Sequence, residues 1–170
     1  MSLLAFCQWL EKTPGSVALH ESLWVYPLVE SVHVLTLCLF VGLAAMLDLR
    51  LLGLTMRSTR VSVVVSQFLP WMAAGFCIMV LSGAALFYAI PVKTYLNIFF
   101  RVKVVLLTLA GLNAWVFHGS VYRRVAEWDV DALIPSAAKR TAVLSLALWV
   151  GIVFAGRMIA YNWFDAPGVH

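Results

Sequence analysis

The chain has 170 residues and a formal net charge of +4, and 63% of its residues are hydrophobic. Soluble domains contain about 45–50% apolar residues, and here the apolar residues form long continuous blocks. Four such blocks account for nearly all of these apolar residues. Each block has about 20 residues, the length that crosses the hydrocarbon core of a bilayer. No soluble catalytic domain fits beside them, and no basic run with interleaved aromatic residues indicates a nucleic acid partner. The sequence predicts an all-α integral membrane bundle of four transmembrane helices, with the lipid bilayer as its first partner.

The N-terminal segment predicts a short helix at residues 2–12. Apolar side chains recur there at helical spacing from Leu3 to Leu10, and Pro14 ends the pattern. A helix of this length is too short to cross a bilayer. We therefore expect it to lie on the membrane surface.

Four longer apolar segments follow and predict the membrane spans. Pro70 is expected to kink the second span, and Pro91 ends it. The connections are short, so neighbouring helices should run antiparallel. The predicted spans are, approximately, 24–47, 63–90, 98–122 and 142–163.

The orientation follows from the Lys and Arg residues near the span ends, because cytoplasmic loops carry an excess of them. The opposite side holds few, such as Lys12 and Lys93. We therefore expect the cation-rich side to be cytoplasmic and both termini to face outward. The residues of the cation-rich side are Arg50, Arg57, Arg60, Arg123, Arg124, Lys139 and Arg140.

Several ionisable residues fall inside the predicted spans, where such side chains are expensive and usually mark a function. On the first span, Glu30, His33 and Asp48 share one helical face, since Glu30 and Asp48 are separated by about five full turns. That face should point into the bundle. The other spans contribute further polar residues: Lys103, Asn113, His118 and Arg157.

Depth along the spans divides these residues into two groups. The outer group carries an excess of positive charge, which suits an electron-rich ligand such as a quinone carbonyl, a haem propionate or a carboxylate. A purely structural interpretation stays open for both groups, with ion pairs that fix helix register. The outer cluster comprises Glu30, His33, Arg101, Lys103 and Arg157, with Met79 and Ser82 close by. The inner cluster comprises Asp48, Arg50, Asn113 and His118.

The two intramembrane histidines are the candidate ligands of a haem iron. By helical rise, His33 lies about 7 Å outward of the midplane and His118 about 8 Å inward. One haem held by both needs their nitrogens at one level, and they differ by roughly 15 Å. Either no haem b is bound, or each histidine works with another axial ligand.

Three stretches resemble a known family: ESLWVYPLVESVHVLTLCLFVGLAAMLDLRLLGL, FRVKVVLLTLAGLNAWVFH and LSLALWVGIVFAGRMIAYNW. They are similar to the first, third and fourth spans of small bacterial four-span membrane proteins that form a domain of unknown function. The resemblance implies the fold and brings no established activity; with a bacterial inner membrane, the charge distribution above makes both termini periplasmic. One departure is His20, where the family is expected to have arginine. The family pattern falls on Tyr26, Pro27, Glu30, His33, Asp48, Arg50, Lys103, Asn113, His118, Arg157 and Tyr161.

Three functions are compatible with these patterns. The first is electron transfer by a b-type cytochrome or quinone-binding protein, since four-helix membrane bundles commonly hold haem. The second is a non-catalytic accessory or assembly subunit of a larger membrane complex. The third is a small transporter or proton-conducting protein, which would need a homo-oligomer to enclose a path. Whether the chain is an enzyme is left open, because no nucleophile–base pair stands out.

Overall fold

The computed structural model describes residues 2–129 and 134–161, and that part of the chain is helical with no strand. Val116 is followed by a π-helical turn (Phe117–Val121) and a 3-10 turn (Tyr122–Arg124) that lead into the next helix. The helices in chain order are α1 (Leu3–Glu11), α2 (Pro14–Glu21), α3 (Val25–Leu51), α4 (Val61–Ala89), α5 (Pro91–Leu96), α6 (Ile98–Val116), α7 (Val125–Trp128) and α8 (Ser136–Met158).

Four helices are long and apolar enough to cross a membrane: Val25–Leu51, Val61–Ala89, Ile98–Trp128 and Ser136–Met158. The predicted fold class is therefore confirmed, as is a short N-terminal helix. Large apolar side chains on these helices face outward, among them Trp71, Trp115 and Val150. In a bilayer such an apolar surface is in contact with lipid chains, so the chain is a multi-pass membrane protein.

The helix boundaries differ from the predicted ones in two ways. Short helices α2 and α5 begin at Pro14 and Pro91, where the sequence pattern predicted only an end; proline at the first helical position explains both starts. Helix α8 begins at Ser136, six residues before the expected start at Ala142, because Ala138 is buried in the core. The last two residues of the predicted span 142–163 lie outside the described residues.

The membrane helices associate as two pairs. Helix α3 lies against α4, α6 lies against α8, and contacts between α3 and α8 join the pairs. Helices α4 and α6 are consecutive spans, yet their backbones approach each other at few points. Near the end of α4 the rings of Phe87 and Phe100 stack at 5.6 Å between centroids. Away from that contact, α4 and α6 pack less closely than α3 with α4 or α6 with α8.

The N-terminal helices are fastened to the end of α4. Ser16 is buried, and its hydroxyl donates to the Tyr88 carbonyl oxygen over 2.7 Å. The Thr13 hydroxyl and the Tyr88 phenol share a hydrogen bond of 2.8 Å. A Cβ atom on Gly15 would lie 2.6 Å from the Tyr88 hydroxyl oxygen, so glycine permits this close approach. We call this end of the bundle, with α1, α2 and α5, the outer end.

At the opposite, inner end, a carboxylate from a distant segment caps α4. The first amides of a helix lack intrahelical acceptors, and Arg60, at the N-cap position, provides no side-chain acceptor. The Asp129 carboxylate instead accepts the Ser62 backbone N–H over 3.1 Å and also the Ser62 hydroxyl. A negative charge at this position also complements the helix dipole.

The Asp129 cap predicts pH-dependent stability. Partial burial opposes ionisation, but the hydrogen bonds from Ser62 and Val61 and the charge of Arg60 outweigh it and hold the pKa of Asp129 below its ordinary value. A lowered pKa contributes stability above the unfolded-state value, about 3.9, and loses it as pH falls through the folded-state pKa. At pH 7, Asp129→Ala should lower the free energy of unfolding by about 1 kcal/mol.

Unfolding in mixed micelles at several pH values measures this difference. The matched control is Glu127→Ala, which removes an exposed carboxylate from the neighbouring helix and should change stability by less than about 0.5 kcal/mol. The difference in the free energy of unfolding between wild type and Asp129→Ala should become smaller below about pH 4. Equal stability of the two variants at pH 7 would contradict the cap.

Candidate functional site

The structure brings together only part of the predicted outer cluster. The Arg101 Nε donates to the Tyr95 carbonyl oxygen over 3.3 Å, and its guanidinium lies 5.2 Å from the Tyr95 ring centroid. Arg157 is exposed and makes the equivalent contact with Tyr161, with a hydrogen bond of 3.2 Å to the phenol. Glu30 is exposed as well. The two residues that turn toward neighbouring helices are His33 and Lys103.

His33 is held in one tautomer by a serine of α4. Its Nδ1 lies 2.8 Å from the Ser82 hydroxyl oxygen, and that hydroxyl lies 2.6 Å from the Ile78 carbonyl oxygen. A carbonyl can only accept, so the single hydroxyl proton of Ser82 points to Ile78. The Ser82 oxygen must then accept a proton from Nδ1–H of His33. In the neutral ring, Nε2 is therefore unprotonated and has a free lone pair.

Two glycines make room for His33 and Lys103. A Cβ atom on Gly83 would contact His33 Cε1 at 3.4 Å, and one on Gly156 would contact Lys103 Nζ at 3.5 Å. Longer side chains at these positions would push the ring and the ammonium out of place. Lys103 is half-buried and near enough to His33 to interact with it electrostatically. We call His33 and Lys103 the outer pair.

A second site lies nearer the inner end, in a cavity of about 100 Å³ between α3, α4, α6 and α8. Its apolar wall includes Phe40, Met72 and Trp149. Three members of the predicted inner cluster line it, together with two residues of α8 that the sequence pattern did not single out. The polar lining residues are Asp48, Asn113, His118, Thr141 and Ser145.

Asp48 is the most deeply buried ionisable side chain of this inner cavity. It is 6% exposed, and its Oδ2 atom has no hydrogen-bond partner. Ser145 faces the same carboxyl group across the cavity. The structural interpretation predicted an ion pair of Asp48 with Arg50 or Arg124, but the Arg50 Nε donates to the Thr59 carbonyl oxygen over 2.8 Å and Arg124 is exposed. Asp48 thus presents a free carboxylate oxygen to the cavity.

Helix α6 supplies the other polar groups of the inner cavity. The Asn113 Nδ2 donates to the Thr141 carbonyl oxygen over 3.0 Å and ties α6 to α8. His118 lies in the π-helical turn, a feature frequent at functional sites. Its Nδ1 is 2.9 Å from the Ala114 carbonyl oxygen and must donate to it, since a carbonyl only accepts. His118, like His33, therefore has a free Nε2.

The outer pair and the inner cavity are separate sites. His118 follows Lys103 by fifteen residues on one continuous helical segment, which corresponds to about 22 Å. Since Lys103 lies beside His33, no single haem is ligated by both histidines. The inner cavity is also smaller than the roughly 300–1,000 Å³ of sites that enclose cofactor-sized ligands. Among residues 2–129 and 134–161, no three His, Cys, Asp or Glu side chains form a metal-binding group.

A larger groove of about 660 Å³ opens at the inner end. It is lined by residues around the π-helical turn and by the start of α8, including Arg123, Arg124 and Glu127. It contains none of the predicted site residues, so we draw no functional conclusion from it.

The α8 residues of the inner cavity could have been recognised from the sequence. Thr141 and Ser145 are four residues apart in an apolar helix, and residues at this spacing share a helix face. Because the fourth span was expected to start at Ala142, Thr141 lay outside the predicted helix. The shared face of Thr141 and Ser145 was therefore harder to recognise. The position of Ser145 opposite Asp48 depends on how α3 and α8 pack, which no local pattern shows.

The hydrogen bond between His33 and Ser82 should be measurable in the intact protein. Ser82→Ala removes the acceptor and should lower the free energy of unfolding by about 1 kcal/mol. Ser66→Ala is the matched control on α4, because the Ser66 hydroxyl bonds within its own helix and is exposed. Nitrogen-15 NMR should show the Nδ1–H tautomer of His33 in wild type and a mixture in Ser82→Ala. An Nε2–H tautomer in the wild-type protein would contradict the assignment.

The sequence of the chain is similar to that of a protein family. A family of unknown function (DUF6644) matches residues 6–162. No curated protein and no solved structure matches the chain. The match covers α2 to α8, both histidine sites and most of α1. The chain therefore belongs to the family of unknown function DUF6644.

Proposed function

We propose that the protein is a membrane electron-transfer protein whose redox group, a haem b or a quinone, binds at the outer pair. The observation that carries this proposal is the fixed tautomer of His33. The Nδ1–H of His33 donates to the Ser82 hydroxyl oxygen. The Nε2 atom has a free lone pair, and the ring is half-buried and interacts electrostatically with Lys103. The proposal concerns the outer end of the bundle and makes no use of the inner cavity.

The tautomer supports ligand binding because histidines that hold metals almost always donate their other ring N–H to an oxygen. Lys103 offers a second nitrogen from a different helix, or a cationic donor to a quinone carbonyl or a haem propionate. A haem iron supplies one-electron oxidation and reduction when bound. The role of His33 would be to bind the group, and the role of Ser82 would be to keep the ring oriented.

The helix arrangement also supports a lipid-soluble ligand. Helices α4 and α6 approach each other at few points, and each carries one residue of the outer site, Ser82 on α4 and Lys103 on α6. A quinone or haem could enter there directly from the bilayer. The inner cavity, at about 100 Å³, offers too little room for such a group in this conformation.

We further propose a bacterial inner membrane as the location, with both termini periplasmic. The support is the distribution of Lys and Arg, which concentrates at the inner end of the bundle. Residues Arg57, Arg60 and Arg124 lie at that end and are exposed or half-buried. Other membrane subunits or further copies of this chain are the partners that the exposed apolar helix surfaces could accommodate.

The test is an absorption spectrum of the full chain, produced with haem precursor and purified in mild detergent. A Soret band with an α band that sharpens on reduction by dithionite is expected. His33→Ala and Lys103→Met should each lose at least about nine-tenths of the bound group, because each removes a ligand. His20→Ala is the matched control, since His20 lies on α2 outside the spans and contacts the Tyr26 ring; its spectrum should match wild type.

A colourless preparation, beside a control cytochrome with full haem occupancy, would remove haem from the proposal. Quinone binding is then measured with a photoreactive benzoquinone analogue, with the same three variants. Labelling that is lost in His33→Ala and kept in His20→Ala supports the quinone form. Absence of both haem and quinone overturns the electron-transfer proposal, and co-purification from native membranes would then test the accessory-subunit alternative.

A further inference from the structure

We propose that the inner cavity is a proton-exchange site in which water links the Asp48 carboxyl group to His118. This inference concerns residues about 22 Å from the outer pair along α6 and does not depend on a redox group. It assigns a ligand, the proton, to a cavity for which the electron-transfer proposal has no use.

The first support is the unpartnered carboxylate. An ionised carboxyl group in a low-dielectric interior is strongly disfavoured unless it is paired or hydrogen-bonded. Asp48 is 6% exposed, its Oδ2 has no partner, and Arg50 donates elsewhere. Such a group is stable when it holds a proton or contacts water that can deliver one. The site therefore offers a carboxylate oxygen to which a proton or a water molecule can bind.

The second support is the imbalance between acceptors and donors around the cavity. Asp48 and His118 both line the cavity; Asp48 Oδ2 has no hydrogen-bond partner, and the Nδ1 contact of His118 leaves its Nε2 lone pair free in the neutral ring. The Thr141 hydroxyl donates its proton to the Ala138 carbonyl oxygen and adds no donor, so the Ser145 hydroxyl is the lining hydroxyl that can donate to Asp48. Water supplies donors, and a cavity of about 100 Å³ has room for about three molecules. The polar wall is thus suited to a short water chain.

The third support is the position of His118 relative to the inner end. His118 is exposed and precedes Arg123 by five residues, or about 7.5 Å of helix. His118 is thus the more accessible of the two groups to the water at the inner end, and we propose that protons reach Asp48 through it. In the proposed step the O–H bond of Asp48 breaks and an N–H bond forms at His118 Nε2, with water carrying the proton between them. The imidazolium then releases a proton to water at the inner end.

The groups that face Asp48 make His118 its titratable partner. Helix α4 lines the cavity with Met72, and α8 lines it with Thr141, Ser145 and Trp149. Helix α3 adds Phe40 and Ala44, and α6 adds Asn113 and His118. Among these described lining residues, Asp48 and His118 are the two with ionisable side chains. A change at His118 should therefore alter the titration of Asp48.

Infrared difference spectroscopy of the full chain tests the proposal. The carbonyl stretch of a protonated carboxylic acid should appear and disappear as pH is varied in wild type. Asp48→Asn should lose that band, and Asp129→Asn should keep it, because Asp129 lies outside the membrane spans. His118→Gln should move the midpoint of the band by about one pH unit or more. Circular dichroism of each variant checks that the helices are intact.

The outcomes separate the alternatives. A band that persists in Asp48→Asn, or a midpoint that does not move in His118→Gln, overturns the proposal. A midpoint that depends on sodium but not on choline chloride also overturns it, in favour of a metal cation. If Asp48→Asn fails to fold, Ser145→Ala should still shift the frequency of the wild-type band, because Ser145 faces the carboxyl group; an unchanged frequency counts against the site. None of these readouts requires a haem or a quinone.

Discussion

The bilayer gives the chain no water with which to satisfy polar groups, and this constraint determines most of the structure. Every backbone N–H and C=O inside the membrane must be paired within the protein, which only helices achieve with one chain segment. Polar side chains face the same constraint. Ser31, Thr108 and Ser120 each donate to the carbonyl four residues earlier in their own helices. Polar groups that also reach across to another helix are fewer, and His33 with Ser82 and Asn113 with Thr141 are two such cases.

The polar groups at the two ends of the bundle differ in kind. At the outer end, His33, Ser82 and Ile78 form a complete chain of hydrogen bonds that fixes one ring nitrogen and leaves the other free. At the inner end, the side chains of Asn113 and His118 donate to backbone carbonyl oxygens. The Oδ2 atom of Asp48, in contrast, has no hydrogen-bond partner. The outer site is thus the one in which a ring nitrogen is oriented by its neighbours. The inner site is the one in which a buried carboxylate oxygen has no partner.

The sequence was sufficient for the fold because the bilayer makes span length and hydropathy nearly decisive. It also drew attention to His33, Lys103, Asp48 and His118, because ionisable residues within apolar blocks are conspicuous; their roles stay predictions. It could not separate these from Arg101 and Arg157, which share their depth. The direction of a long cationic side chain depends on local partners, here the tyrosines Tyr95 and Tyr161. Nor could it place Ser145 opposite Asp48, which depends on how two helices meet.

The cap at the start of α4 also has a consequence for the order of assembly. The amide of Ser62 belongs to the second span, but its acceptor, Asp129, is made only after the third span has been synthesised. During synthesis the first turn of α4 must therefore rely on water or lipid headgroups for its unpaired donors. The same contact connects residues sixty-seven positions apart, so it forms only when the third span has crossed and returned to the inner end. The cap of α4 can therefore form only after the third span has been inserted with the correct topology.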